Sequence, residues 1–161
     1  MTGTAPVSKP FPKVRRAKRE DVPQIFELGR LLFEENAITG WSEHRIVEAV
    51  DRAIDGNGAV IGVIGDVGRL EGMIYLFVAK FWYTDDVHLE EVYNYVHPNY
   101  RKSDNAKALI DFAKMCSEGI KVPLMIGIVS NHKTEQKIRL YQRRLGKPSG
   151  AYWLVNGKTG K

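Results

Sequence analysis

Apolar side chains recur along this chain at two spacings, three to four residues and two residues, and the alternation of the two predicts its elements. Residues 13–16 read as a short strand. Glu20, Asp21 and Pro23 then supply the acidic first turn and early proline of a helix start, and Ile25, Leu28, Gly29 and Leu32 continue at helical spacing. After a break at Thr39 and Gly40, Ser42 is suited to cap a second helix with Ile46, Val47, Val50 and Ile54 on one face, ended by Asp55, Gly56, Asn57 and Gly58. Two β-rich runs, 59–65 and 70–81, flank Asp66, Val67 and Gly68 and predict an antiparallel hairpin. Residues 88–97, rich in Val and Tyr, predict a further strand that stops at Pro98. Ser103 or Asp104 then caps a helix whose inner stripe is Leu109, Phe112, Ala113 and Cys116 and which Gly119 ends. Residues 124–129 predict a short buried strand, and 134–145 a helix with Ile138, Tyr141 and Leu145 on one face, closed by Gly146. Residues 151–155 predict a last strand.

That order implies an α/β (α+β) single-domain fold, a mixed, mostly antiparallel central sheet with a parallel pair near its middle, flanked by helices. A length of 161 residues with 43% hydrophobic composition suits one core. The three prolines of residues 1–12 and their lack of periodicity predict a disordered arm, 13–155 the folded domain and 156–161 a flexible basic tail. The sequence has no apolar run of membrane-spanning length and no secretory leader pattern, so a soluble, cytoplasmic protein without membrane contact is expected. The lone Cys116 excludes an internal disulfide and a cysteine metal cluster; it is expected as a core thiol, and no metal is expected.

Charge adds a polarity to this picture. Residues 20–55 carry nine acidic side chains against Arg30, Arg45 and Arg52, whereas residues 121–161 carry nine basic ones against Glu135 alone. An anionic ligand would favour the C-terminal half, and a cationic one the other.

The densest candidate chemistry lies at 96–106, where the strand ending at Val96 feeds a helix start beside Arg101, Lys102 and Lys107. Unpaired N–H groups and the positive end of the helix dipole suit the pyrophosphate of a nucleotide-like cofactor. The run resembles the acetyl-CoA motif of the GNAT superfamily of N-acetyltransferases, Arg/Gln-x-x-Gly-x-Gly/Ala: Arg101 and Ala106 match without a gap, and Asp104 stands where the first glycine would be. A second segment, Asn131 followed by Leu140, Tyr141, three residues, Leu145 and Gly146, is similar to the family's Asn and Leu-Tyr-x-x-x-Gly patterns. Its wording is also similar to phage-encoded members.

The resemblance implies a GNAT fold and transfer of acetyl from acetyl-CoA to a primary amine by direct attack through a tetrahedral intermediate. By match, Tyr141 is the general acid that protonates the thiolate, and Tyr95, Val96, Arg101, Lys102, Ser103, Asp104, Asn105, Ala106 and Asn131 bind acetyl-CoA. An alkylammonium acceptor must lose a proton first, at a cost of about 4.6 kcal/mol at neutral pH, so a base is needed. Glu90 and Glu91 are the candidates, and because strand side chains alternate at most one faces the cleft; His88 and His97 are the alternatives. Acceptor contacts are expected from Glu34, Glu35, Asn36, Trp41 and Phe81, Trp82 and Tyr83, the acceptor being a small molecule or a protein amine. Two other readings stay open: an interaction protein of this fold that has lost catalysis, suggested by Asp104, and an enzyme acting on aminoacyl-tRNA, suggested by Arg139, Arg143, Arg144 and Lys147 on one helix. A second copy of the chain also stays open as a partner.

Overall fold

The computed structural model describes residues 13–36, 38 and 40–157; the expected arm at 1–12, the break residue Thr39 and the tail beyond Gly157 lie outside the described residues. The elements are β1 (Arg15–Arg16), α1 (Val22–Asn36), α2 (Glu43–Ile54), β2 (Ala59–Asp66), β3 (Arg69–Lys80), β4 (Val87–Val96), α3 (Asn105–Ile120), β5 (Leu124–Met125) and α4 (Thr134–Leu145). The strands form one sheet in the order β1-β2-β3-β4-β5, antiparallel except for the parallel contact of β4 with β5.

The middle of the sheet is apolar on both faces because helices cover both. On one, α1 and α2 bury Ile25, Leu28, Val50 and Ala53 against Ile61, Val63, Met73, Tyr75 and Tyr95. On the other, α3 lays Leu109, Phe112 and Ala113 over Ile64, Ile74, Leu76, Leu89 and Val96. Burying each large aliphatic side chain contributes about 1.5–3 kcal/mol. Gly62 lets α3 come this close, since a Cβ there would stand 2.6 Å from the Phe112 ring.

Several expectations change in three dimensions. Asp21 does not sit free in an acidic first turn: its fully buried carboxylate accepts two 2.8 Å bonds from the Arg15 guanidinium and a third from the Lys18 N–H. Val47 of α2 is exposed, the inner face being Val50 and Ala53 with Ile46, Ala49 and Ile54 beside them. Gly119 does not end α3, which runs to Ile120 and stops where Lys121 turns left-handed at φ 57°. Cys116 is half-buried against the α3 cluster, and that burial raises its thiol pKa.

The largest departures lie at the far edge. Only Leu124 and Met125 of the expected strand pair with β4, and residues 126–129 leave the ladder. Residues 151–155 form no strand, and Tyr152 and Trp153 are each 83% exposed. A two-residue edge offers a further strand almost nothing to pair with. Among the described residues no helix is long and apolar enough to cross a membrane.

Candidate active site

β4 and β5 touch at two positions, Leu89 with Leu124 and Glu90 with Met125, and then part. β4 continues to Val96 along β3, so its other edge beyond Glu90 has no strand paired to it among the described residues. A β-bulge falls in the same stretch: Tyr75 pairs with Tyr93 and Leu76 with Glu91, leaving Val92 extra and 54% exposed. Such an extra residue reverses the side-chain alternation beyond it. Glu91 and Asn94, three residues apart, therefore reach the same group.

That group is Tyr141 of α4. Its Oη lies 3.1 Å from Glu91 Oε2 and accepts from Asn94 Nδ2 at 3.3 Å. Burial pushes the Glu91 carboxyl up to about 8, the Tyr141 hydrogen bond opposing it. Burial first, and then the Glu91 charge, raises the Tyr141 phenol far above its ordinary value. Glu90 instead joins buried His88, at 3.1 Å, and the His88 ring stacks on Phe81 at 4.6 Å. The two adjacent glutamates thus serve different neighbourhoods, as strand alternation requires.

The start of α3 lies just beyond Val96. His97 Nδ1 accepts from the Asn99 N–H, making a tight turn at Pro98–Tyr100 and giving this histidine a local structural bond. Ser103 Oγ donates to the Tyr100 carbonyl and accepts from the Asn105 N–H at 3.2 Å, so Ser103 supplies the cap bond while Asp104 holds the cap position without one. Among the described residues the N–H groups of Ala106 and Lys107 have no partner and point out of the first turn, where the dipole is positive. Asp104 is exposed and paired with Lys13, whose ammonium lowers its carboxyl pKa and offsets its charge at this spot.

Other expected cofactor ligands are engaged elsewhere. Asn105 turns inward, fully buried, and donates to Glu71 Oε2 at 3.1 Å. Tyr95 faces α1 and donates to Glu35 Oε1 at 3.1 Å; burial and the Glu35 charge push its phenol up to about 12. Arg101 folds back: its Nε donates to the Val96 carbonyl at 3.0 Å, its Nη2 pairs with Glu35 and its guanidinium lies over the Tyr95 ring. Asn131 donates to the Asn36 carbonyl at 2.7 Å, and Ser130 to Asn36 Oδ1 at 3.0 Å, so the loop after β5 is tied to the end of α1. Half-buried Lys137 donates to Ser130 Oγ at 2.7 Å, and partial burial lowers its ammonium pKa. Of the expected cofactor ligands, Lys102 is exposed, and the first-turn N–H groups of Ala106 and Lys107 are open to an incoming anion.

For the acceptor, Glu35 is held by Arg101 and Tyr95, and Trp41 packs edge-on to Phe33. Phe81 also stacks on Tyr83 at 5.5 Å, and Trp82 stands 96% exposed at the hairpin end. On α4, Arg144 pairs with Asp111 at 2.5 Å and Arg139 with Glu135 at 3.7 Å, which reduces the free basic face. Sequence reasoning missed Asn94, Lys13 and Lys137. None stands in a recognisable motif, and Asn94 sits at a spacing from Glu91 that regular alternation would send to the opposite face.

No protein-family model matches the sequence, and no curated protein matches it. Solved structures do match in three dimensions. AAC(6')-Iy, in complex with the bisubstrate analog CoA-S-monomethyl-acetylneamine, superposes with a TM-score of 0.69 at 12% identity over 90% of this chain and 97% of that one. A predicted acetyltransferase from Clostridium acetobutylicum, bound to acetyl-CoA, gives 0.69 at 12% identity over 89% and 94%. The aminoglycoside acetyltransferase meta-AAC0020, from an uncultured soil metagenomic sample and bound to trehalose, gives 0.60 at 17% identity over 89% and 92%. This chain has the GNAT fold. The parting of β4 and β5, the helix start after β4 and the tyrosine of α4 are therefore parts of one GNAT-fold domain, whose expected final strand is missing from the described residues.

Proposed function

We propose that the chain is an N-acetyltransferase that moves the acetyl group of acetyl-CoA to an amine. One observation carries the reading: where β4 and β5 part, the Tyr141 hydroxyl meets the β4 edge at Glu91, a proton donor beside a strip of strand with open backbone groups. The residues present fit the cofactor. The free N–H groups of Ala106 and Lys107, with Lys102 and Lys107 nearby, suit the pyrophosphate, and Lys13 neutralises the carboxylate that stands in the motif glycine's place. When bound, acetyl-CoA supplies the thioester. Tyr141 then donates a proton to the leaving sulfur, and the backbone N–H groups of β4 beyond Glu90 stabilise charge on the carbonyl oxygen. Glu90, 41% exposed in its side chain and bonded to His88, is the carboxylate available to take a proton from the incoming amine. The acceptor is a small-molecule or protein amine that enters past the aromatic group of Phe81 and Tyr83.

Calorimetry with acetyl-CoA tests the reading, with micromolar affinity expected. CoA retained by the purified protein in gentle mass spectrometry would agree. No heat at millimolar acetyl-CoA would overturn acetyl transfer and favour an interaction protein built on this fold.

A further inference from the structure

A phenol has one proton to donate and two lone pairs to accept with. Tyr141 has two partners on β4: the Asn94 amide can only donate to it, whereas the Glu91 carboxyl can accept or donate according to whether it carries a proton. When Glu91 is ionised, the Tyr141 O–H is bound to the carboxylate. When Glu91 is protonated, its own O–H fills the second lone pair, and the Tyr141 O–H is released toward the cleft. We propose that Glu91, Tyr141 and Asn94 form a proton relay: the Glu91 carboxyl passes its proton through Tyr141 to the departing thiolate, and Asn94 is the positioning residue. The proposal deepens the acetyl-transfer reading and rests on it.

The β4 bulge makes the relay buildable, because it brings Glu91 and Asn94 to one hydroxyl although three residues separate them. The surroundings favour the protonated start. From α4 the titratable group facing Glu91 is Tyr141, its β3 neighbour is Leu76, and β5 presents Met125 one pair along. Among the described residues no cation bonds to it, and burial pushes its pKa up to about 8. The basic residue one turn along α4, Arg144, pairs through its Nη2 with Asp111. The step balances. A carbon–nitrogen bond forms, the carbon–sulfur bond breaks with its electron pair on sulfur, sulfur takes the Tyr141 proton and Tyr141 takes the Glu91 proton. An ammonium acceptor releases two protons on becoming an amide; one balances the thiol, and the other returns to solvent, from which Glu91 is recharged.

The relay and a base role for Glu91 predict opposite pH behaviour. The probe is acetyl-CoA with hydroxylamine, a nitrogen nucleophile already neutral at pH 7, with thiol release measured above the background without protein. In the wild type, kcat should fall as pH rises past about 8 while KM for acetyl-CoA holds. Glu91→Gln should lower kcat about tenfold, because glutamine can donate to Tyr141 but has no proton to pass on, and its profile should lose the alkaline fall. Asn94→Leu should lower kcat by a similar factor with KM within about twofold. A Glu91→Gln profile that loses the acid limb instead would make Glu91 a base and overturn the relay. An independent reading needs no turnover: in carboxyl ¹³C NMR, assigned with Glu91→Gln, Glu91 should titrate near 8, and titration in the ordinary carboxylate range would overturn the relay alone. Absence of acetyl-CoA binding would overturn the acetyl-transfer reading itself, and the relay with it.

Discussion

β4 has two edges, and they were built differently. Along β3 it pairs from Val87 to Val96, broken only at the bulge, and the β3 partners from Gly72 to Leu76 are apolar and buried. Along β5 it pairs at two residues, after which the groups nearby are Glu91, Asn94, Tyr141, Arg101, Glu35 and Ser130. Closed ladders satisfy every backbone group internally; an edge left open must be matched by water, by polar side chains or by a ligand. Variants on the first edge should therefore cost stability and spare chemistry, and variants on the second should do the reverse.

The largest effect is expected far from the open edge, where β1 pairs with β2 and Arg15 meets the turn before α1. Asp21→Ala leaves Arg15 without its partner and should destabilise the fold by about 3–5 kcal/mol, read as a lower Tm. Arg15 holds the Asp21 carboxyl below the ordinary range, so its contribution is present above the unfolded-state pKa and is lost as pH falls through the lower folded value. Acid unfolding of the wild type should show that loss, and Asp21→Ala should not.

Next comes Tyr141→Phe on the open side. It should reduce kcat by about a hundredfold or more while changing acetyl-CoA affinity by less than about threefold and stability by less than about 1 kcal/mol. Wild-type turnover in this variant would make Tyr141 a packing residue.

Glu91 links the two edges through pH. Its folded pKa is about 8 against an ordinary 4.5, so the native state keeps a proton that the unfolded chain has already released, and stability should fall as pH rises through that window. Glu91→Gln should flatten this slope, with a Tm above the wild type by a few degrees at about pH 9 and little difference at about pH 5.

The smallest effect concerns the α3 entrance. Asp104→Gly should tighten acetyl-CoA binding by only about two- to fivefold, because Lys13 already offsets the carboxylate, and Lys13→Ala should weaken it by a similar factor. Both differences should shrink in high salt. Equal affinities in calorimetry at low salt would place the pyrophosphate away from this pair.

Elements with strong periodicity were legible from sequence because each lies against a sheet that accepts its whole face: α1, the β2–β3 hairpin, β4 and the stripe of α3. The tyrosine of α4 and the helix start after Val96 were legible from their similarity to known motifs. What pattern alone could not decide depends on contacts distant in the chain. The length of β5 depends on where 126–129 turn away, and the fate of 151–155 depends on that length. The motif assigns Arg101 to the phosphates, and only the fold brings it to Glu35, sixty-six residues away. Asn94 met no expectation, because strand alternation assigns it and Glu91 to opposite faces and a single extra residue at Val92 reunites them. Local propensity is a property of a segment. Which partner a polar side chain meets is a property of the packed chain, and that was decided only when the helices closed over the sheet.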